Sequence, residues 1–249
     1  ETKYHDYRYV GANVNNYVWF NNDMYRIIGV FDDNSHGVVD EEGNGKYLVK
    51  LIAANPIVAY SYGVQNDTSN NYSAYSNDFT LGNMNKLLNN NFYGKSSEGC
   101  SVLTYYFSST NYRTNDCSDI IGYGIDPSLQ NYIENVTWYL YGYPSKSYSK
   151  QNFYLCERGG NSCTGANGTT EESKVKVQNK IGLMYVSDYL YASGYFSSSN
   201  TTIASSNYYG NQNWLYKGYE WTITPRSDTS SSAFAVNYTG YVSYNTAYL

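Results

Sequence analysis

Positive charge is thin in this chain. Its 16 Lys and Arg face 21 Asp and Glu, for a net charge of −5, and the basic residues are scattered. A phosphate backbone needs clustered cations, so nucleic acid is excluded as a partner. Histidine is nearly missing, with only His5 and His36. Long apolar runs are missing too: no stretch approaches the roughly eighteen residues of a membrane span. The chain opens at Glu1 in a polar stretch, which predicts that any export signal or anchor lies outside these residues. Charge of either sign is scarce, at 15%.

Tyrosine fills the gap. There are 33, against 8 Phe and 4 Trp, so much of the 41% hydrophobic content carries a hydroxyl. A tyrosine ring can stand at a surface without making it insoluble. Asparagine and serine number about thirty each, well above ordinary usage. A polar, uncharged mixture of Tyr, Asn, Ser and Gly is the composition of a recognition surface. The codon habit of an AT-rich genome yields a similar composition, although Lys, which that habit also favours, is scarce.

Four cysteines allow three pairings. Cys100–Cys117 and Cys156–Cys163 each close one local loop, the second around Glu157-Arg158-Gly159-Gly160-Asn161-Ser162. Each closure stabilises by roughly 2–4 kcal/mol, and disulfides imply an oxidising compartment. The rival is a zinc site, for which Cys-x-x-Cys spacing is missing and His5 and His36 are remote.

Element signals run from β to α and back to β. Tyr7-Arg8-Tyr9-Val10, Tyr17-Val18-Trp19-Phe20 and Met24–Val30 predict strands, with Asn21-Asn22-Asp23 as a turn. Tyr47–Ile52 predicts another. Leu81, Met84, Leu87 and Leu88 predict a helix capped by Ser76 or Asn77. Asp126, Pro127 and the apolar series Leu129, Tyr132, Ile133, Val136, Leu140 predict a second helix. Val102–Phe107, Val175–Val177 and Ile181–Val186 predict strands, and Ser187-Asp188 starts a short helical turn. Residues 159–172 predict an exposed insertion. Tyr219–Thr224, Ala233–Val236 and Tyr241–Tyr244 predict a closing β region, with a turn at Asn237 to Gly240. The expectation is one α+β domain over residues 1–249, its terminal strands meeting in one antiparallel sheet, with two helices and long loops.

Three segments carry a resemblance: Tyr7-Arg8-Tyr9-Val10-Gly11-Ala12-Asn13-Val14-Asn15-Asn16-Tyr17-Val18-Trp19-Phe20 through Val30, Ile181-Gly182-Leu183-Met184-Tyr185-Val186-Ser187-Asp188-Tyr189, and Trp221-Thr222-Ile223-Thr224-Pro225-Arg226-Ser227. They resemble gram-positive surface and pilin-like proteins with a C-type-lectin-like domain. That fold is shared with formylglycine-generating enzymes and with variable receptor proteins of diversity-generating retroelements. The family's closing Gly-Val-Arg-Pro does not occur here. No pilin-type hydrophobic helix occurs either, so a pilin role follows only by analogy.

Catalytic chemistry has little to work with. Paired cysteines leave no thiolate, and no pair matches the reactive cysteines of formylglycine-generating enzymes. His36 with Asp32 or Asp33 lacks the third group of a triad and reads as a solvated loop residue. Gly122-Tyr123-Gly124 lacks the rest of a phosphate-binding fingerprint. Asp116, Asp119, Asp126, Glu134, Glu157, Asp188 and Glu220 could in principle supply a glycosidase acid/base pair, but no spacing selects one. Asp126 and Asp188 have a capping explanation. The calcium triplets of sugar-binding C-type lectins are missing, and Asp116 with Asp119 reads as a loop. Asn-x-Ser/Thr triplets begin at Asn66, Asn71, Asn135, Asn167, Asn200 and Asn237, as chance allows in this composition. No enzyme, cofactor or metal is expected.

Binding is the better expectation. Tyr208-Tyr209-Gly210-Asn211-Gln212-Asn213-Trp214-Leu215-Tyr216 interleaves rigid rings with amides, in the region that the resemblance makes ligand-facing. Tyr208, Tyr209, Asn211, Asn213, Trp214 and Tyr216 are the candidate ligand-binding residues. Trp214 and Trp221 also read as core, and Arg226 as the partner of a structural carboxylate. The expected role is an extracellular, cell-surface domain that binds a glycan or protein. The alternative is a structural subunit of a pilus or other surface filament, whose partners are copies of itself.

Overall fold

A computed structural model describes residues 6–31, 34–58, 62–63, 76–97, 121, 124–160, 162–193 and 212–247, together with the backbone of 103–108 and 111–115. The class is α+β, with antiparallel sheets.

The N-terminal sheet is built on one long strand. β1 (Tyr7–Arg8) and β2 (Tyr17–Phe20) pair with β3 (Asp23–Phe31), which also pairs with β4 (Leu48–Ala53). Asn21 and Asn22 both have positive φ, 53° and 56°. That is the primed turn that suits a two-residue hairpin and that asparagine tolerates. The Asn21 amide then reaches Gly124 O and accepts from Asp126 N–H.

Between the sheets, helix α1 (Asn83–Lys86) runs into a π-helical segment, Leu87–Tyr93. It begins later than the sequence predicts. Ser76, Asp78 and Thr80 bond one another in a turn, and the buried Asn77 amide donates to the carbonyls of Arg226, Thr229 and Ser232. These side chains compete with helical backbone bonds and delay the helix. Strands β5 (Leu103–Ser108) and β6 (Asn111–Asn115) form a hairpin.

The second expected helix is not formed. Asp126 accepts from the Ser128 amide and hydroxyl in a local turn, a short 3₁₀ turn follows at Gln130–Tyr132, and β7 (Val136–Tyr139) pairs with β8 (Lys176–Asn179). Val136, Trp138 and Leu140 fit a two-residue period as well as a helical one, and β-branched Val136 and Thr137 favour the strand. Asn135 therefore precedes a strand. Helix α2 (Lys150–Cys156) had no sequence signal strong enough to predict it; Ser149 and Asn152 cap it reciprocally. Helix α3 (Glu172–Val175) leads into β8, and α4 (Val186–Ala192) follows an extended segment. That segment, expected as a strand, bonds to the C-terminal sheet through Ile223 N–H to Met184 O.

β9 (Glu220–Pro225), β10 (Ser232–Val236) and β11 (Val242–Thr246) form the closing sheet. Asn237 accepts from the amides of Thr239 and Tyr241, fixing the expected turn. Among the described residues the two ends of the chain form separate sheets, not the joint sheet expected. They are tied by other bonds. Gly11 N–H donates to Ala192 O, Trp214 N–H donates to Gly11 O, and the Trp214 indole donates to Tyr9 O. One core lies under β3, α2, α4 and β10; a second lies under α1, β7 and β9.

Candidate ligand-binding surface

Burial divides the expected site residues. Tyr208, Tyr209 and Asn211 lie outside the described residues. Asn213 and Trp214 are 3% and 4% exposed, so their side chains do not face a partner. Asn213 donates to Tyr189 O at 2.7 Å and accepts from Leu215 N–H at 2.9 Å. The Trp214 ring packs 4.4 Å from the guanidinium of Arg26. Both residues build the scaffold beneath the segment. Tyr216 is half-buried, its hydroxyl donating to Tyr238 O. Trp221 packs against the second core, stacking obliquely on Tyr62. Arg226 pairs with Asp228 at 2.5 Å, as a structural ion pair.

The exposed rings lie elsewhere. Tyr7, Tyr17, Trp19, Tyr47, Tyr132 and Tyr238 are each more than half exposed. Tyr17 and Trp19 are alternate residues of β2 and share a face. The hairpin is expected from the sequence, but this pair is not among the expected site residues. The pattern Tyr17-x-Trp19 is the signal that could have found it, because alternation in a strand sends both side chains to one face.

Charge lies inside. Asp6, Arg8, Arg158 and Asp188 have side chains at most 8% exposed, and form pairs at 2.7–3.2 Å. Lys50 reaches Asp188 from β4 at 2.5 Å. Burial pushes the Asp188 carboxyl up, but Lys50 and Arg8 outweigh it and hold the group well below its ordinary value. Burial lowers Lys50, which Asp188 opposes. Glu157 is buried, and among the described residues no cation is bonded to it. It accepts from the amides of Val186 and Ser187 and from the Thr224 hydroxyl, and burial pushes it up to about 7.

The remaining candidates for chemistry are spent or scattered. Asp188 accepts from Tyr185 N–H at the start of α4, as its capping role requires. Glu134 pairs with Lys46 on the surface. Half-buried Glu220 is also pushed up to about 7 by burial, against the pull of Lys217. Asp116 and Asp119 lie outside the described residues. His36 accepts from Val38 N–H and donates to Lys46 O, closing its own loop; His5, Asp32 and Asp33 lie outside. Cys156 and Cys163 form a disulfide, which removes both as zinc ligands; Cys100 and Cys117 lie outside. Among the described residues no group of three or more His, Cys, Asp or Glu could hold a metal ion, and no helix is long and apolar enough to cross a membrane. Two open depressions carry opposite charges at the surface: Glu172 pairs with Lys176 beside Thr137 and Tyr139, and Asp78 and Lys174 line the other with Ser76.

No protein-family model matches the chain, and neither a curated protein nor a solved structure matches it.

Proposed function

We propose that this chain is the extracellular ligand-binding or adhesion domain of a microbial surface protein, with a C-type-lectin-like fold, and that it holds a glycan or protein partner without catalysis. The observation that carries this reading is a set of six exposed aromatic rings, with part of the charge drawn into an interior cluster. Tyr7, Tyr17, Trp19, Tyr47, Tyr132 and Tyr238 offer rigid contact area at low entropic cost, whereas Asp6, Arg8, Arg158 and Asp188 neutralise one another in the interior. Soluble domains ordinarily keep charged residues at the surface. The Cys156–Cys163 disulfide supports an oxidising compartment. Binding of the purified, monomeric chain to a glycan array and to immobilised surface-protein extracts tests the reading. Failure to retain any glycan or protein would sink it.

A second reading is a subunit of a pilus or other surface filament. The edge of β2 favours it. Ile27 N–H donates to Asn16 O, so the ladder bonds fall on 16:27, 18:25 and 20:23, and the amides of Tyr17 and Trp19 point away from β3. Among the described residues no strand pairs with this edge, and an edge without Lys or Pro is a template for another strand. Negative-stain images of the concentrated protein decide: filaments support this reading, dispersed monomers the first.

A further inference from the structure

We infer that Tyr17 and Trp19 of β2, with exposed Asn15 just before the strand, form a binding site for a neutral oligosaccharide. This rests on the ligand-binding reading above and gives it a site and a ligand class. Tyr17 is 54% and Trp19 65% exposed, on one face of a strand, about 7 Å apart along it. Asn15, just before the strand, is also exposed.

The strip is built and not left over. The Arg26 guanidinium lies 4.6 Å from the Tyr17 ring centroid. Arg26 is itself fixed: it donates to Asn16 Oδ1 at 2.8 Å, to Trp214 O at 2.9 Å and to Val14 O at 3.1 Å. The Tyr17 ring therefore rests on an immobilised cation, and its solvent side needs no ordering when a ligand arrives. Trp19 sits in the same strand, held to β3 opposite Met24.

The chemistry of this strip selects sugar. A pyranose offers one face of C–H groups and a rim of hydroxyls. Two rings in a row match the faces of successive sugar residues. The outward amides of Tyr17 and Trp19 and the Asn15 side chain match the rim. No charged side chain stands at positions 15, 17 and 19; Arg26, beneath the Tyr17 ring, is 8% exposed. Neutral glycans therefore fit, and acidic ones gain nothing. A protein partner needs about 800 Å² from each side, far more than two rings supply.

The test is titration of the full chain with hexasaccharides of glucose, mannose and N-acetylglucosamine, read by tryptophan fluorescence and calorimetry. At least one is expected to bind and to shift the emission of exposed Trp19 to shorter wavelength. Trp19→Ala and Tyr17→Ala should each weaken binding at least tenfold with unchanged near-ultraviolet dichroism, which the buried rings dominate. Sugar binding unchanged in Trp19→Ala would overturn the site and leave the ligand-binding reading standing. Wild-type chain that binds none of the three, but holds a protein ligand, would overturn the inference and again spare the reading.

Discussion

Arg8 and Asp188, 180 residues apart in sequence, are joined at 2.9 Å with side chains 8% and 1% exposed. This bond ties β1 to the first turn of α4. Removing one partner of a buried pair costs about 3–5 kcal/mol, because the other charge stays desolvated. Asp188→Ala is expected to lose that much in urea unfolding, since it strands Lys50 and leaves Arg8 with Asp6 alone. A loss below about 1 kcal/mol would place these pairs with ordinary surface ones.

The same cluster sets the pH response. Asp188 titrates below its ordinary value when folded, so its stabilisation is present above that ordinary value, 3.8, and fades in more acidic solution. Glu157 and Glu220 are raised from 4.5 to about 7. The folded state then binds more protons than the unfolded one between those values. Stability is fully present below 4.5 and declines as pH rises through 7, by at most about 1.4 kcal/mol per pH unit for each group. Maximum stability is expected near pH 4–5. Glu220 makes no structural ion pair, so Glu220→Gln should flatten part of the neutral-side slope without breaking a bond. Unfolding midpoints from pH 3 to 8 check this; a wild type that gains stability from pH 5 to 8 would contradict it.

The Cys156–Cys163 bridge spans a sequence separation of 7. Closing so short a loop stabilises by about 2–3 kcal/mol in the chain-entropy account. The Cys156→Ala/Cys163→Ala double variant should lose about that much, with the N-terminal hairpin unaffected. Thermal melts with and without reductant give the comparison, and reductant should leave this variant's response to the bridge at zero.

Strands were the readable part of this chain, and the residues show why. Tyr17–Phe20 alternates between exposed and half-buried residues, Asp23–Phe31 and Ser232–Val236 carry β-branched and aromatic residues, and their turns carry asparagine or glycine at the positions that need positive φ. The helices were harder. Leu129, Tyr132, Ile133, Val136 and Leu140 fit a helical stripe, yet cross-strand pairing with Lys176–Asn179 decided the outcome for the second half, and no local pattern announces a partner some forty residues away. Helix α2 is capped by Ser149 and Asn152, where a Glu or Gln would have been the recognisable cap. In the Tyr208–Tyr216 segment, composition shows rings and amides but not which side they face. Tertiary contacts with Arg26 and Tyr189 turned Trp214 and Asn213 inward.

Two tryptophans separate scaffold from surface. Trp214 is 4% exposed, donates through its indole to Tyr9 O and backs Arg26. Truncating so buried a ring leaves a cavity, and Trp214→Ala is expected to lose about 3–5 kcal/mol. Trp19 is 65% exposed, and Trp19→Ala should change stability by less than about 0.5 kcal/mol. Denaturant unfolding of both variants, followed by far-ultraviolet dichroism, makes the comparison independent of the lost fluorophores. The logic then runs to function. A residue that costs nothing to remove from the fold has its ring free for a partner, so any binding lost in Trp19→Ala is loss of contact, whereas binding lost in Trp214→Ala is loss of the platform that holds Tyr17. If Trp19→Ala destabilised the chain as much as Trp214→Ala, the β2 face would be packed in solution, and the strip would be structure instead of site.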